Sequence, residues 1–271
     1  MNRGTWDARI RRAGRLAAGY PFAAEALRFY EHVAQFQRTL YWEIEAACGT
    51  AVAARPSGSL RTELDLFALL PRFPAFLSHV EKHAPGPLAQ AAAKLRGRDS
   101  NFWHELLADF WQAVPDSPPG LSASELLLAW IFLQPYAEYL ADHTRREPLH
   151  STPSTCPLCS SRPLAGVLRP EGDGGKRYLL CPLCSNEWEY RRIMCPACGE
   201  EDEKKQAVYI AADFGHVRVE ACETCHFYLK TVDLTKDGHA IPVVDELAAI
   251  PLDLWASEHG YTKIHTNLIG I

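Results

Sequence analysis

The sequence predicts an α+β protein: an all-helical domain over residues 1–152, then two tandem small β modules over residues 153–193 and 194–271, the second ending in a helical tail. Three observations predict this class. Apolar residues recur at helical spacing in the first half. After residue 153, short alternating runs and turn residues replace that spacing. Eight of the nine cysteines form four Cys-x-x-Cys pairs in the second half.

The helical elements follow from apolar spacing and from start and stop signals. An apolar stripe over residues 23–44 predicts a long packed helix. Shorter helical stretches are predicted at residues 59–70, 79–82, 88–95 and 100–114. Ser122 and Glu125 have the spacing of a capping box, which predicts the start of a strongly apolar helix. Pro135 is expected to kink that helix, and the prolines of residues 148–153 mark the domain boundary.

Strand and turn signals dominate the second half. Residues 208–221 predict a β-hairpin that turns at Asp213-Phe214-Gly215 and runs into a cysteine pair. Asp237-Gly238 predicts a second hairpin turn. Residues 245–259 predict a helix, which Gly260 closes.

The four cysteine pairs carry the strongest chemical signal in the chain. The pairs are Cys156/Cys159, Cys181/Cys184, Cys195/Cys198 and Cys222/Cys225. Two thiolates separated by two residues bind one ion from a tight turn, and two such turns complete a tetrahedral four-thiolate site. These eight cysteines are therefore the predicted metal ligands, and they predict two metal ions.

An internal repeat decides which pairs share an ion. Offsets of 39 to 41 residues superpose the first two pairs on the last two, and also Arg177 on Arg218 and Trp188 on Leu229. The repeat unit is a cysteine turn, a hairpin, a second cysteine turn and a short strand. Consecutive pairs are thus predicted to bind one ion each, while a cross-braced arrangement stays open on spacing alone.

The cysteine turns resemble the metal-binding turns of rubredoxins and zinc ribbons. Cys195-Pro-Ala-Cys-Gly199 has the rubredoxin form, and three of the four turns carry proline after the first cysteine. Four thiolates suit zinc or iron, and the pattern does not choose between them. A structural role for the ions and a redox or delivery role both stay open.

Three further residues are assigned to ordinary structure. Cys48, the ninth cysteine, follows an apolar helix and is predicted to be a small buried side chain. His226 adjoins Cys225, but four thiolates already complete a site, so it is not a predicted ligand. His216 is predicted to be a cross-strand surface residue of the hairpin.

Charge and hydropathy exclude several classes of protein. Residues 1–150 hold 16 basic and 16 acidic side chains, and residues 151–271 hold 12 and 17, so the net charge of −5 lies in the cysteine-rich half. An acidic half disfavours nucleic acid, because phosphate binding needs clustered cations. No apolar run approaches the ~18–20 residues that span a bilayer, and no apolar segment follows the basic N-terminus. We therefore expect no membrane insertion and a cytoplasmic protein, in which paired cysteines bind metal rather than form disulfides.

The chain resembles the formate dehydrogenase accessory protein family, FdhE. The resemblance rests on residues 180–188 (Leu-Cys-Pro-Leu-Cys-Ser-Asn-Glu-Trp), 195–199, 218–226, 133–140 and the tail from 245 to 267. It implies a cytoplasmic factor that is needed to produce active formate dehydrogenase and that contacts the catalytic subunit of that enzyme. It also implies iron on the eight paired cysteines, with zinc possible.

No hydrolase or transferase constellation is evident in the sequence, so we expect that the protein is not an enzyme. Two other classes stay open. A zinc-ribbon nucleic-acid binder would use a local basic patch at Arg191-Arg192 and Lys204-Lys205. A rubredoxin-like redox protein would use iron in at least one four-thiolate site.

Overall fold

The first half of the chain folds into helices. The computed structural model describes residues 3–49, 59–62, 64–113, 120–144, 151–171 and 174–270. Within the first four ranges the helices are α1 (Arg3–Gly19), α2 (Ala24–Cys48), α3 (Leu66–Leu69), α4 (Phe73–His83), α5 (Gly86–Arg96), α6 (Ser100–Gln112) and α7 (Ala123–Asp142). The stretches predicted at residues 79–82 and 88–95 lie within α4 and α5, and α6 covers the one predicted at 100–114 as far as residue 112. Of the stretch predicted at 59–70, only Leu66–Leu69 is α-helical, and Leu60–Thr62 is a 3-10 turn. Residues 63 and 114 lie outside the described residues.

Helices α2 and α7 form the centre of this region. The apolar stripe predicted for α2 is buried at Leu27, Tyr30, Val33, Ala34, Gln37, Leu40, Tyr41 and Ile44. Helix α7 begins with the predicted capping box, in which the side chains of Ser122 and Glu125 each accept a hydrogen bond from the backbone N–H of the other residue. The helix runs through Pro135 to its end without interruption, and every residue from 131 to 141 is buried. Because α7 is surrounded on all sides, its polar residues must find partners inside the protein.

The second half forms one mixed sheet. Its strands are β1 (Ala165–Glu171), β2 (Gly174–Leu180), β3 (Glu187–Glu189), β4 (Gln206–Ile210), β5 (Val217–Cys222), β6 (Phe227–Asp233) and β7 (Thr262–Lys263). The strand order is β3-β2-β1-β6-β5-β4, and β7 pairs with β6. The predicted hairpin at residues 208–221 is confirmed as the antiparallel pair β4–β5.

The predicted repeat is visible in the sheet. Each module contributes a hairpin and a third strand, β1-β2-β3 and then β4-β5-β6, although β3 has three residues and β6 has seven. The modules join side by side because β1 of the first pairs in parallel with β6 of the second. This contact requires glycine at position 166, where an added Cβ would lie 2.2 Å from the Thr231 Oγ1 atom.

The C-terminal region differs from its prediction in two places. The turn at residues 237–238 leads into a helix rather than a strand, so the predicted second hairpin is wrong. The single predicted tail helix is two helices, α8 (Pro242–Ala248) and α9 (Ile250–Glu258), which meet at Ala249. Pro251 lacks the N–H that a continuous helix would need there. Gly260 closes α9 as predicted, with φ of +82°.

A buried cluster of four charges fixes these two helices on the sheet. The Lys230 Nζ atom on β6 lies 2.5 Å from an Asp253 oxygen and 3.0 Å from a Glu246 oxygen. Lys263 on β7 pairs with the same two carboxylates. Burial alone would raise the pKa of Glu246, but the two ammonium groups outweigh burial and lower it to about 2. The Glu246 carboxylate is therefore ionised at neutral pH, whereas burial lowers the pKa of Lys230.

Among the described residues, the surface at the predicted basic patch carries charges of both signs. Arg191 pairs with Glu201, and the Lys205 Nζ atom lies 3.8 Å from a Glu200 oxygen, so the predicted basic patch is interleaved with acidic groups. Among the helices that the structure describes, none has the length and apolar character to cross a membrane.

Candidate metal centres

The eight paired cysteines meet in two groups of four. Cys156, Cys159, Cys181 and Cys184 form the first group, which we call site 1. Cys195, Cys198, Cys222 and Cys225 form the second, which we call site 2. Consecutive pairs share a site, as the repeat predicts, and the cross-braced arrangement is wrong.

All four cysteine turns share one backbone conformation. The residue after the second cysteine has a positive φ in each: Ser160 at 60°, Ser185 at 52°, Gly199 at 77° and His226 at 56°. This left-handed residue reverses the chain, and in three of the turns its N–H donates to the carbonyl of the first cysteine at 2.8 or 2.9 Å. The turn without proline, at residues 222–225, adopts the same conformation.

Backbone N–H groups point at the sulfur atoms inside these turns. Leu183 N and Cys184 N each lie 3.4 Å from the Cys181 Sγ atom. Ala197 N lies 3.4 Å from the Cys195 Sγ atom in the equivalent position of site 2. Hydrogen bonds of this kind stabilise a thiolate over a thiol, so the turns are built for ionised sulfur.

The spacing of the sulfur atoms fits one tetrahedral ion in each site. In site 1 the Sγ atoms of Cys156 and Cys184 are 3.6 Å apart, and those of Cys159 and Cys181 are 3.3 Å apart. The two cross-turn distances in site 2 are both 3.7 Å. Four sulfurs at about 2.3 Å from a metal lie ~3.8 Å from one another. A disulfide would need about 2.05 Å, so the groups fit metal binding and not oxidation.

Thiol pKa values differ within each site in the absence of an ion. Burial raises the pKa of Cys181 and of Cys184 in site 1, whereas hydrogen bonds from the Cys156 and Cys181 side chains lower that of Cys159. Burial raises the pKa of Cys195 in site 2 to about 11. Burial alone would also raise the pKa of Cys222, but hydrogen bonds from the N–H groups of its own turn help to lower it. Each site therefore holds protons that a metal ion would displace.

Helix α7 holds the second turn of site 1. The Pro182 carbonyl oxygen accepts from Trp130 Nε1 at 3.1 Å and from Gln134 Nε2 at 3.2 Å. Gln134 is itself oriented by Gln37 of α2, which donates to its side-chain oxygen at 2.9 Å. A chain of hydrogen bonds thus connects the cysteine turn with the centre of the helical region.

A buried ion pair completes this attachment. Ser185, the left-handed residue of the turn, donates to the Glu138 Oε1 atom at 2.6 Å. Arg9 of α1 donates to the same oxygen at 2.8 Å and to the Ser185 hydroxyl at 3.0 Å. The side chains of Arg9 and Glu138 are 6% and 1% exposed, so the pair is almost fully desolvated. Losing either partner would leave a buried charge without compensation.

The first turn of site 1 is held by residues 59–62. Leu60 N donates to the Leu158 carbonyl at 2.7 Å, and Arg61 Nε donates to the Cys159 carbonyl at 2.8 Å. Arg61 also donates to the carbonyls of Phe110 and Trp111 in the last turn of α6. A guanidinium there satisfies carbonyls that the helix leaves unpaired.

Site 2 has different surroundings. Cys198 is exposed and Cys225 is half-buried, whereas all four cysteines of site 1 are buried. Gln206 Nε2 lies 3.8 Å from the Cys222 Sγ atom, and Glu200 accepts from Thr224 at 2.6 Å. Among the described residues, the hydrogen bonds to these turns come from the second half of the chain.

Three single-residue predictions have mixed outcomes. Cys48 is exposed in the last turn of α2, beyond the end of the buried stripe at Ile44, so its predicted burial is wrong. His216 is not a free surface residue, because its Nε2 lies 2.7 Å from the buried Asp245. His226 serves the turn through its backbone and is not in the site 2 group.

One further group combines donors that metals use. His216, Asp237 and Asp245 place one ligand atom each within 4.8 Å of one another. Arg12 of α1 fills this group, donating to Asp245 at 3.0 Å through Nε and to Asp237 at 2.8 Å. A guanidinium in the ligand positions makes this group an ion-pair cluster that attaches α1 to the C-terminal region.

The geometry defines a class of protein with two four-thiolate groups that could hold metal ions, set in a repeated β module beside a helical region. Comparison with known proteins narrows the class. Residues 155–192 match the model of the FdhE central domain, and residues 193–269 match that of the FdhE C-terminal domain. The chain belongs to the FdhE family.

Relatives and a solved structure agree with this. The chain is 26% identical over 265 residues to the FdhE homolog of Aquifex aeolicus, covering 93% of this chain and 90% of that protein. It is 32% identical over 207 residues to the FdhE homolog of Pseudomonas putida, covering 72% of this chain and 63% of that protein. The crystal structure of the FdhE protein from Pseudomonas aeruginosa is similar with a TM-score of 0.67 and 25% identity, covering 99% and 96% of the two chains.

Proposed function

We propose that the protein is a metal-binding accessory factor required to assemble active formate dehydrogenase, and that it binds the catalytic subunit of that enzyme in the cytoplasm. One observation carries the proposal. The two consecutive FdhE domains, over residues 155–269, are the same stretch that brings eight cysteines into two four-thiolate groups. The protein then acts by binding its client and not by turnover of a substrate.

The eight cysteines are the proposed ligands, four to each ion. Iron is favoured by the family resemblance, and zinc fits the same donors. Iron would supply one-electron chemistry when bound, and zinc would supply structure alone. The chain's own contribution is to hold the thiolates: turn N–H groups face the sulfurs, and the Ser161 hydroxyl lies 3.3 Å from the Cys159 Sγ atom.

A complementation experiment tests the proposal. A strain that lacks the chromosomal gene is given the wild-type protein, the Cys195→Ser/Cys198→Ser double variant or the Cys48→Ser variant, and formate dehydrogenase activity is measured. We expect wild type and Cys48→Ser to restore activity, since Cys48 lies outside both sites. We expect the double variant to fail. Full activity with the double variant would count against a role for metal in this function.

Binding to the client is tested separately. The wild-type protein is immobilised without oxygen, and the catalytic subunit lacking its cofactor is passed over it. We expect a one-to-one complex, and no formate oxidation by the accessory protein alone. Failure of the purified subunit to bind would overturn the docking part of the proposal.

A rubredoxin-like redox function is the second candidate. The exposure of Cys198 favours it, because a solvent-accessible thiolate ligand allows electrons to reach the ion. A visible thiolate-to-iron absorption that bleaches reversibly on reduction would support this function. Two zinc ions per chain and no visible colour would exclude electron transfer.

A further inference from the structure

Arg177 on β2 makes buried contacts that join the two modules. Its Nη2 atom lies 2.7 Å from a carboxylate oxygen of Glu220 on β5, and the two side chains are 3% and 13% exposed. Its Nη1 atom donates to the carbonyls of Arg191 and Met194, at 2.9 and 3.0 Å, in the segment that leads from the first module into the second. One guanidinium therefore binds three acceptors, all on segments that lead into the cysteine turns of site 2.

The repeat explains why Arg177 contacts the second module, although β1 and β6 separate β2 from β5 in the sheet. Arg218 is its counterpart in the second module, and it donates to the other oxygen of Glu220 at 2.6 Å. The residue of the first module that corresponds to Glu220 is Leu179, which is fully buried. The second module thus supplies one carboxylate for both arginines. Since separating a buried ion pair is costly, this contact should hold the modules in one arrangement.

The position of Arg177 is tied to site 1. Strand β2 runs from Arg177 into Cys181, and β3 begins after Cys184, so the second cysteine turn of site 1 connects these two paired strands. Tyr190 follows β3 directly and donates its N–H to the Arg177 carbonyl at 3.0 Å, and its ring centre lies 5.5 Å from the guanidinium. An ion held by Cys181 and Cys184 would therefore fix the two strands that position Arg177.

The same contacts reach both cysteine turns of site 2. Met194 immediately precedes Cys195, so its carbonyl lies at the start of the first turn. The Tyr190 hydroxyl lies 3.4 Å from the Cys195 carbonyl oxygen. Glu220 is on β5, which ends at Cys222 in the second turn. Both turns are thus connected, directly or through β5, to side chains that β2 and β3 position.

We propose that Arg177 couples the two sites, so that an ion in site 1 increases the affinity of site 2 for its own ion. An ion in site 1 orders β2 and β3 and, through Arg177, the segments that carry the turns of site 2. Less order then has to be imposed when the second ion binds, which raises its affinity. Arg177 is a positioning residue in this account and not a ligand. The inference rests on the ligands assigned in the proposed function.

Coupling between two binding equilibria is reciprocal, so an ion in site 2 must increase the affinity of site 1 by the same factor. The coupling can therefore be measured at site 1, with site 2 removed by the Cys195→Ser/Cys198→Ser double variant. Zinc is distributed between the full-length protein and a competing chelator without oxygen. A short pulse of alkylation, analysed by mass spectrometry, then reports the fraction of site 1 whose cysteines are protected by the ion.

The effect of removing site 2 is measured in three backgrounds: wild type, Arg177→Met and Arg218→Met. Arg218→Met is the matched control, because it removes an arginine from the same carboxylate, and the described hydrogen bonds of the Arg218 side chain all go to Glu220. Each protein is first checked for a wild-type circular dichroism spectrum. If Arg177→Met does not fold, Arg177→Lys replaces it, because lysine keeps the buried cation but lacks the fork that reaches Glu220 and two carbonyls together.

We expect removal of site 2 to weaken zinc binding at site 1 by about fivefold or more in the wild-type and Arg218→Met backgrounds. With Arg177→Met the same removal should weaken it by less than about twofold, because the connection is already broken. A merely structural role for Arg177 would lower the affinity of site 1 but leave the effect of removing site 2 unchanged.

Three results would overturn the inference and leave the assigned ligands intact. The first is an affinity of site 1 that does not change when site 2 is removed from the wild type. The second is an effect of that removal that persists with Arg177→Met, and the third is an effect that Arg218→Met abolishes equally. Absence of zinc from both sites of the wild type would instead overturn the ligand assignment of the proposed function, and the inference with it.

Discussion

Sites 1 and 2 have the same cysteine pattern and the same turns but different surroundings. Both consist of two Cys-x-x-Cys turns closed by a left-handed residue. The cysteines of site 1 lie in the main hydrophobic core, whereas site 2 exposes Cys198 and half-exposes Cys225. The cysteine pattern alone therefore does not determine how accessible a bound ion would be to solvent, because the neighbouring elements determine that access.

The neighbouring elements also determine which part of the protein an ion in each site would stabilise. Site 1 is bonded to α1, α6, α7 and residues 59–62 through Arg9, Arg61, Gln134 and Glu138. An ion there would hold the helical region and the sheet together. Site 2 is bonded only within the second half of the described chain, so an ion there would support its own module and stay accessible. We infer a structural ion in site 1 and an accessible ion in site 2.

The largest expected difference between the two sites is the loss of stability caused by substituting one cysteine of each. Cys184→Ser should remove the ion of site 1 and leave thiols buried beside α7. Structural zinc contributes about 10–16 kcal/mol in small domains, so we expect a loss on the order of 5 kcal/mol or more. Cys198→Ser should remove the ion of site 2 and leave the helical region folded. Both expectations are checked by measuring thermal unfolding with circular dichroism and the metal content per chain. Equal destabilisation by the two variants would contradict the difference between the two sites.

The next effect concerns the attachment of site 1. Glu138→Gln leaves the Arg9 guanidinium buried without its carboxylate, which should cost about 3–5 kcal/mol of unfolding free energy. Arg169→Gln is the control, because it breaks the Arg169–Glu187 pair on the surface and should cost at most about 1 kcal/mol. Denaturant unfolding measures both values. If Glu138→Gln were as mild as its control, the attachment of site 1 to the helices would not contribute to stability.

The affinity of the two sites for metal should depend on pH in a similar way. Burial raises the pKa of Cys181 and Cys184 in site 1, and of Cys195 and Cys225 in site 2. These groups are protonated at neutral pH without metal, so an ion displaces their protons and its affinity falls as pH falls. Calorimetric titration in buffers of different ionisation enthalpy should give similar proton release for both sites. A difference of more than about one proton per ion would show that the sites differ in chemistry as well as in access.

The smallest effects come from the left-handed residues. Ser160→Gly at site 1 should stabilise the protein by up to about 1 kcal/mol, because glycine adopts a φ of 60° without strain. Gly199→Ala at site 2 should destabilise it by about 1 kcal/mol, since alanine at a φ of 77° is strained. Chemical denaturation resolves changes of this size. Effects of the same sign in both variants would contradict the shared turn geometry.

The sequence predicts the local features of this protein well. The capping box at Ser122, the buried stripe of α2 and the hairpin at residues 208–221 each depend on short-range spacing, and all three are confirmed. The grouping of the cysteines followed from a repeat of about 40 residues, which requires no knowledge of long-range packing. The division of the chain at residues 152 and 193 stays a prediction.

Features that depend on contacts between distant segments were not predictable. Nothing near Glu138 or Ser185 in the sequence indicates that the two meet, because 47 residues separate them. The charge cluster of Lys230, Glu246 and Lys263 likewise looks like ordinary surface composition until the chain is folded. Cys48 is exposed because α2 extends beyond the core at its C-terminal end. The spacing of apolar residues predicts that end only to within a few residues. The difference between sites 1 and 2 is of the same kind, since their motifs are nearly identical.

Cysteine labelling in the presence of a chelator tests the difference between the sites most directly. The metal-loaded protein is mixed with a chelator and an alkylating reagent, and labelled cysteines are identified by mass spectrometry over time, with Cys48 as the internal standard for an exposed thiol. The account predicts that Cys198, Cys222 and Cys225 are labelled at least about tenfold faster than Cys156, Cys181 and Cys184, because release from site 1 requires the helical region to open. Equal labelling rates at the two sites, or faster labelling at site 1, would contradict it.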